Sequence, residues 1–140
     1  MRTVEGLYDE CMAALQFPQY FGGNWNAFED CWSDGSWVYR ESQGRSSIKG
    51  SVVLVRDASA LLADETPEQL ATLVDILHKA SEYRSRQGRN GDSESSLPMH
   101  VVFICATDDM GTFVSRLREC GIPPSVCDVR RAGEESWGAD

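Results

Sequence analysis

Apolar residues recur along this chain with two different periods, and each change of period marks an element. Val4, Leu7, Tyr8, Cys11 and Leu15 fall at helical spacing, and Thr3 is placed to cap a helix over 4–16. Pro18 ends that helix, because the residue before a proline avoids the helical region. A second helical pattern covers 25–33, with Asn24 as its cap. Phe28 and Trp32 lie four apart on its inward face with Cys31 beside them. Asn26, Glu29, Asp30 and Ser33 fall at i, i+3, i+4 and i+7 on the other face. The result is an acidic ridge with Tyr20 at its entrance, after a loop opened by Gly22 and Gly23.

Residues 34–50 read as loop, anchored by Trp37, Val38 and Tyr39. The continuous β-branched run 51–56 predicts a strand buried on both faces, followed by a turn or short helix that tucks Leu61 and Leu62 inward. Thr66, Pro67, Glu68 and Gln69 then make a helix start, with a threonine cap, a proline at the first position and a capping box closed by Gln69. Its apolar face is Leu70, Leu73, Val74, Leu77 and Ala80, and it should fray near Tyr83. Residues 84–98, with three arginines, two glycines and four serines, read as a surface loop. A second strand covers 100–106. Strand, helix and strand make one right-handed crossover, so the fold class is α/β with a small parallel sheet packed with helices in a single domain. Asp108 or Asp109 can cap a further helix through Phe113, Val114, Leu117 and Cys120, ended by Gly121. Pro123 and Pro124 turn the chain toward a possible strand at 125–130, and 132–140 reads as a flexible acidic tail.

A chain of 140 residues with 41% hydrophobic and 25% charged residues suits one globular domain. Charge narrows its partners. A net charge of −9 opposes binding to a nucleic-acid backbone and suits a basic protein. Between Thr3 and Glu41 seven acids stand against one base, Arg40. The five cysteines are widely spaced without a Cys-x-x-Cys pair, and most read as small buried hydrophobes. With no secretory leader and no apolar run of membrane-spanning length, they predict a cytoplasmic protein with reduced thiols and no membrane contact. His78 and His100 lack metal-ligand spacing, Cys105 reads as a buried thiol, and adjacent Glu29 and Asp30 do not make an acid–base pair. No catalytic residue, metal site or cofactor is expected.

From 18 to 31 the chain follows the pattern Pro-x-Tyr-(Tyr/Phe)-Gly-x-Asn-(Leu/Trp)-(Asp/Asn)-Ala-(Leu/Phe)-x-Asp-Cys, and here it resembles the barstar family of intracellular ribonuclease inhibitors. The looser resemblance runs over 3–106. It implies a protein without chemistry of its own that occludes the active site of a small basic extracellular-type ribonuclease. By that resemblance Asp30 is the carboxylate inserted into the nuclease site and Tyr20 is a contact tyrosine. Asn24, Trp25, Asn26, Glu29, Ser33 and Trp37 complete the candidate partner-binding set, Asn24 mainly as a cap and Trp25 facing either partner or core. The chain also departs from the family pattern. Asn26 stands where the best-known members carry a second acid, and Glu29 where they carry a tryptophan. Lys79 stands where a glutamate contact is expected, and Trp37 lies two residues later than a strict alignment places it. These changes keep open a second reading, an interaction or immunity protein on the same scaffold with a target that is not a ribonuclease. The resemblance also implies a strand ahead of the first helix, for which only Met1 and Arg2 are present. The extension 107–131 is expected to add a helix and a strand through a second crossover, filling part of that gap. The oligomeric state stays open.

Overall fold

The computed structural model describes residues 1–35, 50–89 and 98–121. Local capping chemistry starts the first two helices. Thr3 accepts from the Gly6 N–H at 3.1 Å and opens α1, Val4–Leu15, which ends where Gln16 turns left-handed at φ 51°. Asn24 accepts from the Ala27 N–H at 3.0 Å and opens α2, Trp25–Asp34, which Gly35 closes at φ 60°. Strand β1, Ser51–Val55, leads through a 3-10 turn at Ala58–Ala60 into α3, Pro67–Arg89. Strand β2, Met99–Phe103, then passes to α4, Thr107–Glu119. The two strands pair in parallel, Ser51 opposite Met99 through Val55 opposite Phe103. The domain is thus α/β with a small parallel sheet, as the alternation of patterns predicts.

The core lies between the sheet and the helices. Phe28, Leu61, Leu62, Leu70 and Met99 are fully buried, joined by Leu7, Tyr8 and Cys11 of α1, Trp32 of α2 and Leu73, Val74, Leu77 and Ala80 of α3. Leu62 holds a left-handed backbone (φ 51°), a conformation costing about 1–2 kcal/mol. Its complete burial and the bond from its N–H to the Met1 carbonyl at 2.9 Å hold it there. Arg2 forks onto Asp64 at 2.8 and 2.6 Å, and the Val4 N–H donates to Glu65 at 2.9 Å, so the chain start is tied to the segment before α3.

Several expectations need correction. Strand β1 is covered on one face only. Val53 and Val55 pack on the core with Val101 and Phe103, while Val52 (60% exposed), Leu54 (59%), Val102 and Ile104 face outward. An apolar run reveals a strand but not what lies over it. Helix α3 does not fray at Tyr83 but continues to Arg89, and Arg84 is buried against α2. The Gln69 side chain serves Trp25 instead of a capping box (Trp25 Nε1 to Gln69 Oε1, 2.8 Å), and the Thr66 side chain hydrogen-bonds Glu68. Ala106, not Asp108 or Asp109, precedes α4, and both acids sit in its first turn, where the helix dipole favours negative charge. Cys11 is buried, but Cys31, Cys105 and Cys120 are only half-buried. Trp37, the proposed strand at 125–130 and the tail at 132–140 lie outside the described residues.

Candidate functional site

Helix α2 is built from its apolar back outward. Phe28 sits at the centre of an aromatic cluster, with Tyr8, Phe17, Trp25 and Trp32 at ring-centroid distances of 5.7–5.8 Å. Trp32 stacks nearly parallel on Phe28, at 17°, while Trp25 meets it edge-on at 83°. Tyr8 also meets Phe21 and Trp25 edge-on, at 5.2 and 5.5 Å. Such offset and T-shaped pairs each contribute about 0.5–1.5 kcal/mol beyond area burial, so the helix is fixed in rotation as well as position. Trp25 therefore belongs to the support of the face: half-buried, it ties α2 to the first turn of α3 through Gln69.

Both ends of α2 are held. At the front, the Phe21 N–H donates to the Pro18 carbonyl at 2.9 Å, and the Asn24 side chain bridges the Gly22 carbonyl (3.3 Å) and the Ala27 N–H (3.0 Å). Gly23 adopts φ 60°, which a glycine supplies at no steric cost. At the rear, Arg84 donates to the carbonyls of Ser33 (3.3 Å) and Trp32 (3.5 Å). The last carbonyls of a helix lack intrahelical donors, and a guanidinium meets both that need and the negative end of the helix dipole. Gly35 is buried there, and a Cβ at this position would overlap the Arg84 guanidinium. Neither Arg84 nor Gly35 was among the sequence candidates. Arg84 continues the series Leu73, Leu77 and Ala80 along the apolar face of α3, a spacing that marks it from sequence once the helix runs past Tyr83.

Of the predicted set, the outward face carries Asn26, Glu29, Asp30 and Ser33, with Tyr20 ahead of it. Asn26 and Asp30 are exposed, Glu29 and Ser33 half-buried, and Tyr20 stands 85% exposed ahead of the helix. Phe21 turns the other way, onto Phe17 and Tyr8. The acids of this helix are felt locally: the Cys31 thiol is held above its usual range by burial first and then by Asp30 and Asp34. Lys79 of α3 bonds Asp75 at 2.6 Å. Its ammonium is held above the ordinary lysine range chiefly by that hydrogen bond and charge, with a smaller share from Glu29. The rim toward α3 is thus mixed in charge. Among the described residues, no group of three or more His, Cys, Asp or Glu side chains is arranged to hold a metal ion, and no helix is long and apolar enough to cross a membrane.

A helix fixed from behind and at both ends, with a tyrosine, an amide and carboxylates to the front, is suited to docking onto another protein: little side-chain or backbone ordering remains to oppose association. The comparisons agree with that class. The family model described as Barstar (barnase inhibitor) matches residues 1–97, and the chain belongs to the barstar family, a family of inhibitors. The match includes α1, α2, β1 and α3, while β2 and α4 lie beyond it. No curated protein and no solved structure matches the chain.

Proposed function

We propose that this protein inhibits a small basic ribonuclease by seating the outward face of α2, with Tyr20, over the nuclease active site. The observation that carries the reading is Asp30, exposed on a helix fixed by aromatic packing behind it and by Asn24 and Arg84 at its ends. A ribonuclease holds phosphate with cationic side chains, and a rigidly placed carboxylate occupies the same site through charge-assisted hydrogen bonds. Asn26 and Glu29 flank Asp30, Tyr20 supplies a rigid amphipathic anchor, and Ser33 extends the contact. Inhibition is by occlusion, with no reaction catalysed by the inhibitor. Such an inhibitor works in the cytoplasm, protecting the cell's own RNA from an extracellular-type enzyme.

Lys79 favours a second reading. Bonded to Asp75 and within the field of Glu29, it places a cation beside the acidic face, which suits a partner whose basic centre is bordered by an acid. That partner need not be a ribonuclease. Inhibition assays against a panel of small basic ribonucleases, at low and high salt, separate the two. Stoichiometric inhibition whose on-rate falls steeply with salt supports the first reading. Absence of inhibition by the folded protein across the panel contradicts it and leaves the second.

A further inference from the structure

We propose that the open edge of β1 takes up one extended segment of another protein, β-branched in its centre and basic at its ends. This inference is independent of what α2 binds. Ser51 donates to the Pro98 carbonyl and Val55 accepts from the Ile104 N–H, so residues 51, 53 and 55 direct their backbone groups toward β2. Val52, Leu54 and Arg56 direct theirs the other way, and among the described residues no strand meets them there. Met1 and Arg2 are engaged elsewhere, their carbonyls accepting from the N–H groups of Leu62 and Asp64. An edge of this kind binds an incoming strand through main-chain hydrogen bonds, and pockets beside it select the side chains.

The pocket beside this edge is a cavity of about 340 Å³. It touches Val53, Leu54 and Val55 in succession. Successive residues of a strand point to opposite faces, so a space that meets all three lies side-on to β1. Leu7 and Cys11 of α1 and Phe28 of α2 line it from the helical side. A strand laid along the edge would send every second side chain into this apolar space. The others would lie beside Val52 and Leu54, which are more exposed than Val102 and Ile104 on the same face. Valine or isoleucine suits the first set, and any β-branched residue suits the second.

Charge decides between a second copy of this chain and a different one. Helix α1, which walls the cavity, carries Glu5, Asp9 and Glu10 and no basic residue. Glu10 itself lines the cavity, and Arg2, the base ahead of the helix, is held by Asp64. At the end of β1, Arg56 is followed directly by Asp57. Two copies paired antiparallel through β1 would be related by a two-fold axis, with both α1 helices and their acids on one face of the joined sheet. The net charge of −9 on each copy opposes that approach. A segment with Lys or Arg at its ends meets the same acids favourably.

The test uses the full chain and a synthetic peptide of five residues, valine alternating with threonine over the length of β1, with a lysine added at each end. Residue-resolved hydrogen exchange and light scattering are read with and without it. The expected result is a monomer that binds one peptide, with exchange of the Val52 and Leu54 amides slowed by at least about 10-fold at saturation. The Val53 and Val55 amides, which face β2, are unchanged and report an intact sheet. Leu54→Pro removes an outward donor only, a change that edge strands tolerate, and it should abolish binding. Glu10→Gln, at an exposed position, should weaken binding by about 3-fold, and glutamates in place of the peptide's lysines should weaken it further. No binding, binding that leaves Val52 and Leu54 exchange unaltered, binding retained in Leu54→Pro, or equal affinity for the glutamate-ended peptide overturns the proposal. Edge amides already protected without peptide overturn it as well. They assign the edge to a second copy when the protection falls on dilution, and to the chain itself when it does not.

Discussion

Helix α2 and strand β1 both stand at the margin of the core, but their surfaces are finished differently. The helix buries Phe28 and Trp32 completely or nearly so and turns Asn26 and Asp30 to solvent. The strand leaves Val52 and Leu54 more than half exposed and one edge without a strand partner among the described residues. Covering one side of an element and making the other polar yields a rigid surface that stays soluble until a specific partner meets it. An apolar face with free backbone groups recruits whatever strand is near. The first region is finished for recognition, and the second calls for completion.

The most disruptive way to break this contrast is Phe28→Ala. It removes the ring shared by four aromatic neighbours, and a loss of about 3–5 kcal/mol in stability is expected by denaturant titration. The alkaline limb of stability comes next. Burial pushes the Cys11 thiol up to about 12 from an ordinary value of 9.0, with Glu10 adding to the rise, and burial pushes Tyr8 to about 12. The folded state therefore holds the Cys11 proton more tightly than the unfolded state does. The associated stability is complete below pH 9 and is lost as pH rises toward 12, by up to roughly 4 kcal/mol for Cys11. Cys11 also lines the cavity along β1. Urea unfolding at pH 8 and pH 11, with Cys11→Val as control, should show a steeper alkaline loss in the wild type. Equal slopes would mean that water reaches the thiol through the open edge.

Arg84→Met keeps the stem but leaves the carbonyls of Trp32 and Ser33 without their guanidinium partner. A cost of about 1–3 kcal/mol is expected, with faster amide exchange concentrated at the end of α2. Asn24→Ala removes the front cap for about 1 kcal/mol. Equal exchange across α2 in both variants would show that aromatic packing alone sets the helix.

The features legible in the sequence were the locally encoded ones. Thr3 and Asn24 cap through bonds to residues three positions on, and the polar face of α2 follows from its own periodicity. What escaped depends on contacts distant in sequence. Trp25 faces the core because Tyr8 and Gln69 meet it there, and α3 extends past Tyr83 while Arg84 reaches back to α2. The run 51–56 looked buried on both faces because apolar composition records what a strand can bury, not what covers it.

The central claim is that α2 is an inhibitory face with Asp30 at its heart. Its most direct test is titration calorimetry of wild type and Asp30→Ala side by side against a small basic ribonuclease, with both chains shown to be equally folded. The account predicts tight one-to-one binding by the wild type. Asp30→Ala should weaken it by at least about 2 kcal/mol, the general threshold of an interface hot spot, a class in which barstar is itself a reference example. Equal affinity of the two chains would contradict it and move the binding surface away from the acidic face of α2.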